Sequence, residues 1–168
     1  MAFKVGHFDK VKGENITDPN AKMSDPNLRQ AMAYALDVEA AGQNLYNGLQ
    51  HASNSIIIPF FKDVYNKDQE GFTYNPEKAK QLLDEAGYKD VDGDGFVERP
   101  DGSKIDLNFV IYTSREELQI YAQAFQTDMK EIGIKVTLKP VSYETVLSMR
   151  DDSNFDMLIW NVLAANTG

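Results

Sequence analysis

Asp90, Asp92 and Asp94 occupy alternate positions, and Gly95 follows them. Carboxylates at that spacing can converge on a hard cation, and a glycine then allows the sharp turn, as in the first half of a calcium loop. The second half departs from that pattern. Position twelve, counted from Asp90, is Asp101 where a bidentate glutamate is expected, and Pro100 stands directly before it. Ile105 opens a strand pattern, so no helix leaves on that side. A tight turn built from aspartate and glycine backbone preferences is the more ordinary reading of the same residues. If Ca2+ binds at Asp90, Asp92 and Asp94, its role is structural, and no cofactor is required for function.

Other chemistry is harder to assemble. His7 and His51 are the only histidines, neither has a partner at ligand spacing, and there is no cysteine. That removes disulfide scaffolds, thiolate zinc sites and cysteine nucleophiles, and leaves little from which to build a nucleophile–base pair. Carboxylates are abundant, but no pair stands out by spacing as a hydrolase dyad. Gly93 and Gly95 lie inside the acidic loop, whose charge repels phosphate. The net charge of −9 argues against nucleic acid or an anionic membrane as a partner through charge. No apolar stretch approaches the ~20 residues that span a bilayer, and Met1–Val5 lacks the basic start and apolar run of an export signal. Any such signal is expected outside this sequence. Trp160 closes an apolar run at a strand end, where an indole either stacks on a ligand or packs at an edge.

The elements that must position these residues follow from the patterning. Val5–Phe8 reads as a strand, and 9–27 as polar and turn-rich. Ser24-Asp25-Pro26 is a helix start, since proline lacks the N–H that goes unsatisfied there. Leu28, Ala31, Met32, Ala35 and Leu36 give the apolar face. Asp37 caps a second helix, Val38–Tyr46, which Gly48 terminates. Ile56–Phe61, interrupted by Pro59, reads as a buried loop. Asn75-Pro76 opens a third helix with Ala79, Leu82, Leu83 and Ala86 inward and Gly87 as its stop. Ile105, Leu107, Phe109 and Ile111 alternate as a strand. Ser114 and Glu117 form a capping box for a long helix with Leu118, Tyr121, Ala122, Phe125, Met129 and Ile132 inward. Ile134, Val136 and Leu138 alternate again, a short helix follows Ser142, and Phe155–Val162 reads as a last strand.

The order strand–helix–strand–helix–strand predicts a βαβαβ parallel core within a single α/β lobe spanning 1–168. Ligands in such sheets sit beyond the carboxyl ends of the strands, near Tyr112-Thr113, Pro140-Val141 and Trp160-Asn161.

Several segments resemble the bacterial solute-binding proteins of the peptide/nickel type, in that family's order. Asn27-Leu28-Arg29-Gln30-Ala31-Met32-Ala33-Tyr34-Ala35-Leu36-Asp37 is similar to its "VRqAlayAiDre" helix. Tyr74–Tyr88 is similar to its "yDPekAkkLLaeAGy" segment. The Asp90–Gly95 loop, Ile132–Val136 and Phe155–Trp160 follow, so the resemblance covers about residues 5 to 162.

The resemblance implies a three-layer lobe of a type II periplasmic-binding-protein-like fold, the C-terminal lobe of a two-lobed protein. Such a protein closes on an oligopeptide, without catalysis, and delivers it to the permease subunits of an ABC importer. It implies a monomer, lipid-anchored on the extracellular face of the membrane, and the Gly13–Asp25 segment resembles Gram-positive members. Trp160, and with it Asn161, would line the ligand cleft, and Arg150 would pair with a peptide carboxylate. Asn161–Asn166 contains no acid where relatives place one for the peptide amino terminus. Three further readings stay open: the same fold serving a nickel chelate, sugar or peptide pheromone, a calcium-dependent interaction module, and a hydrolase that turns over peptides.

Overall fold

The computed structural model describes residues 1–49, 62–63, 65–66, 68 and 71–159. Ile56–Phe61, His51, Trp160 and Asn161 lie outside the described residues.

Three strands follow the first residue: β1 (Ala2–Phe3), β2 (Gly6–Asp9) and β3 (Glu14–Thr17). β2 and β3 pair with each other as an antiparallel hairpin. Its return strand falls in the stretch read as turn-rich from sequence. Glu14-Asn15-Ile16-Thr17 carries one apolar residue, so it has no buried stripe to betray it.

Helices α1 (Pro26–Ala35), α2 (Val38–Tyr46) and α3 (Pro76–Glu85) start where the capping chemistry predicts. The Asp25, Asp37 and Asn75 side chains accept from the backbone N–H of Asn27, Ala40 and Lys78. Each satisfies a donor that the first turn leaves without a partner. In α3 the fully buried positions are Ala79 and Leu83, and Leu82 and Ala86 are half-buried.

The parallel core is the remainder: β4 (Asp106–Tyr112), α4 (Glu116–Glu131), β5 (Lys135–Val141), α5 (Tyr143–Asp151) and β6 (Met157–Leu158). The sheet order is β1-β6-β4-β5. β4 runs parallel to both β5 and β6, with Phe109 opposite Leu138 and Met157. β1 closes the far edge antiparallel to β6. The parallel βαβαβ core is therefore present, but β5 and β6 flank β4 and do not touch each other.

β4 alternates less than its sequence pattern predicts. Val110 and Tyr112 are buried along with Leu107, Phe109 and Ile111, because helices cover both faces of this central strand. The ring of Phe109 meets that of Phe125 on α4 at 5.1 Å. The ring of Tyr112 meets that of Tyr143, the first residue of α5, at 5.7 Å. Residues three apart on a strand point to opposite faces, so α4 and α5 cover opposite sides and the lobe has three layers. β5 tolerates Pro140 because it is an edge strand.

One capping expectation is corrected. α4 begins after Arg115, whose backbone is extended and whose side chain makes no capping bond; Ser114 caps nothing. The Glu117 carboxylate instead accepts from the Arg115 guanidinium, which prevents the reciprocal box.

Candidate functional site

The chain leaves β4 for one face of the sheet and leaves β5 for the other. The carboxyl ends of these adjacent strands therefore flank a topological switch point, the place where open α/β sheets take their ligands. Tyr112 and Val141 end the strands. The Thr113 N–H donates to the Val141 carbonyl at 2.9 Å and extends the ladder to the tip. Gln119 Nε2 donates to the Thr113 carbonyl. Ser142 Oγ accepts from the Thr145 N–H and fixes the start of α5.

Tyr112 is buried, and Tyr143 is 45% exposed with its ring against it edge-on. An exposed aromatic braced by a buried one offers a preset surface for an apolar or peptide group. Charges surround the pair. The Arg115 guanidinium, charged in any case, is raised further by Glu117, against partial desolvation and with a smaller contribution from Tyr112. The Glu117 carboxyl is held below the usual carboxylate range by its own backbone N–H and by Arg115. Glu144 is lowered by its own N–H and by Ser142. The strand tips thus present one exposed aromatic ring, backed by a buried one, with hydroxyls and ionised groups of both signs nearby. They suit a ligand that is polar along its length and apolar at its side chains.

Arg150 lies seven residues after Tyr143 on the same face of α5, about 10 Å along the helix axis. Its Nε donates to Asp151 Oδ1 at 2.8 Å. Helical side chains lean toward the N-terminus, here toward the strand tips. The structure does not bring Arg150 to the strand tips themselves. Trp160 and Asn161 follow β6 outside the described residues. His7 lies exposed in β2.

The acidic loop has a different partner set from the one its spacing suggests. Oxygens of Asp90, Asp92 and Glu98 lie within 4.8 Å of one another, and Asp94 is not part of that trio. Asp90 accepts from the N–H groups of Gly93 and Gly95. The Lys104 ammonium contacts Asp94 at 2.9 Å and also reaches Asp92. Glu98 is buried, accepts from the Val91 N–H, and bridges Lys89 and Lys104 in short antiparallel pairings. It occupies position nine counted from Asp90, a liganding position in calcium loops. That count is the signal by which the sequence could have revealed it. Tyr143, Ser142 and Arg115 were missed because single polar residues after a strand have no periodicity to mark them.

Residues 3–167 match the model of the family described as bacterial extracellular solute-binding proteins, family 5 Middle. The oligopeptide-binding protein OppA of Lactococcus lactis subsp. cremoris is 32% identical over 139 residues, 82% of this chain and 23% of its own length. The structure of the oligopeptide-binding protein AppA of Bacillus subtilis, in complex with a nonapeptide, is 30% identical. It superimposes with a TM-score of 0.76 over 84% of this chain and 28% of that one. The mannohexaose-bound oligopeptide ABC transporter binding protein of Thermotoga maritima is 32% identical, with a TM-score of 0.75 over 83% of this chain and 27% of that one. The chain spans about a quarter of the length of these relatives. It belongs to family 5 of the bacterial extracellular solute-binding proteins.

Proposed function

We propose that this chain is one lobe of an oligopeptide-binding protein serving an ABC importer, and that peptide is held in a crevice at the β4–β5 strand tips without catalysis. The observation that carries the proposal is the braced tyrosine pair at the switch point, in a chain whose family captures solutes. Peptide capture that tolerates many sequences rests on backbone hydrogen bonds and roomy side-chain sites, and a rim with one exposed ring, hydroxyls and backbone groups supports that. Trp160, Asn161 and Arg150 are proposed to extend the same wall. Closure of an opposing lobe over the crevice would shift an open–closed population that the permease subunits read. The corresponding location is extracytoplasmic, with a lipid anchor carried elsewhere in the polypeptide, as in a Gram-positive lipoprotein, and the protein works as a monomer.

Calorimetric titration of an oligopeptide into a protein carrying both lobes tests this reading. Tyr143→Ala should weaken binding about tenfold, the scale of one aromatic contact near 1.4 kcal/mol, with Tm shifted by less than about 3 °C. Unchanged affinity would remove Tyr143 from the site. The Thermotoga maritima relative holds mannohexaose, so a sugar is the second reading. Native mass spectrometry separates the two: a ladder of peptide masses supports peptide, a single hexose series supports sugar.

A further inference from the structure

A concave surface lies away from the strand tips, between the start of α2 and the solvent side of α4. It encloses about 410 Å³, with apolar walls that include Val38, Ala41, Ile120 and Ala124 and with Asp37 and Asp128 on its lining. Val38, Ile120 and Tyr74, all on this groove, are 42%, 45% and 45% exposed. Large apolar side chains gathered around a groove and edged by charge mark interaction surfaces more often than idle ones.

The charge on the lining is of one sign. Among the described residues, no lysine or arginine lines the groove. Burial raises the Asp128 carboxyl above the usual carboxylate range; the Asp37 backbone opposes this, and the charges of Asp37 and Glu131 reinforce it. Burial, then Glu131, Asp128 and Asp37, likewise raise the Tyr74 phenol, and Lys80 opposes them. With Asp37, Asp128 and Glu131 set against Lys80, the local charge is net negative, and on apolar walls that is complementary to a cation carried on an apolar body. Exposed apolar residues at the rim require an occupant longer than the groove itself, which favours a polypeptide over a small amine.

We propose that the α2–α4 groove docks a basic segment of a partner protein, with one large apolar side chain seated between Val38 and Ile120 and an adjacent lysine or arginine facing Asp37 and Asp128. This surface is separate from the crevice and does not depend on peptide capture there.

The test is residue-resolved NMR of the isotope-labelled chain titrated with two probes, acetyl-Phe-Lys-Lys-amide and acetyl-Phe-Glu-Glu-amide. The basic probe should shift the amides of Ala40, Ala41, Ala124 and Asp128, and the acidic probe should shift them at least about tenfold more weakly, as like-charge repulsion requires. Asp128→Asn should weaken the basic probe about fivefold, the scale of one partly exposed ion pair, and the exposed Ile120→Ser should remove the apolar component. Equal response to both probes, or shifts confined to 112–115 and 141–144, would overturn the groove proposal. The latter result would leave peptide capture at the crevice intact. Self-association of the chain that Ile120→Ser abolishes would assign the groove to a second copy and also overturn the proposal.

Discussion

Asp94 accepts from Lys104 at 2.9 Å, and Asp92 shares the same ammonium, so the acidic loop carries a cation of its own. Its aspartates were legible as a spacing pattern. Of their neighbours, Glu98 was open to the position-nine count, whereas Lys104 lies beyond the glycines and outside that count. We propose that the loop is a turn closed by Lys104 with no need of Ca2+, and that EDTA leaves Tm unchanged; a sharp fall would assign a structural ion to Asp90, Asp92 and Glu98. Asp94 is lowered chiefly by Lys104 and by the Phe96 N–H. A carboxyl depressed on folding stabilises above its ordinary pKa of about 4 and loses that contribution as pH falls through the depressed value. Lys104→Met should therefore flatten the acid limb of a Tm–pH profile below about pH 4. An identical profile would show that the pair is only a solvated contact.

At the scale of elements, capping chemistry was the most readable signal, since Asp25, Asp37, Asn75 and Ser142 all act where sequence places them. Ser114 failed because a serine–glutamate spacing cannot reveal that Arg115 takes the glutamate first. The two sites give a paired prediction. Asn75→Ala should cost about 1 kcal/mol, lowering Tm by roughly 2–4 °C for a chain of this size, whereas Ser114→Ala should change Tm by less than about 1 °C. Equal effects in thermal melts would contradict the observed caps. The β2–β3 hairpin was half legible. Val5–Phe8 carries two large apolar residues that mark it as a strand, while its partner strand is polar and is defined only by pairing with β2.

For the whole molecule, the succession of β4, α4, β5, α5 and β6 predicted a parallel core with strand tips at Tyr112 and Val141, and the structure has both. Sequence order did not reveal that β6 lies on the opposite side of β4 from β5. It also did not reveal β1 against β6, a pairing of residues more than 150 apart. Such pairings arise from sheet completion, which local periodicity does not encode. The core should hold this chain together by itself: Phe109, fully buried at the centre of β4, should cost about 3–5 kcal/mol on substitution by alanine. The chain should fold alone yet bind peptide far more weakly than a two-lobed protein, because one wall of a cleft supplies only part of the contacts.

The most direct measurement is photo-crosslinking of an oligopeptide carrying a benzophenone side chain to a protein with both lobes, with adducts mapped by mass spectrometry. A peptide lying across the divergence of the two strand connections places this lobe's adducts within 112–115 and 141–150. Adducts confined to the opposite end of the sheet, around Asp106 and Lys135, or absent from this lobe altogether, would contradict it.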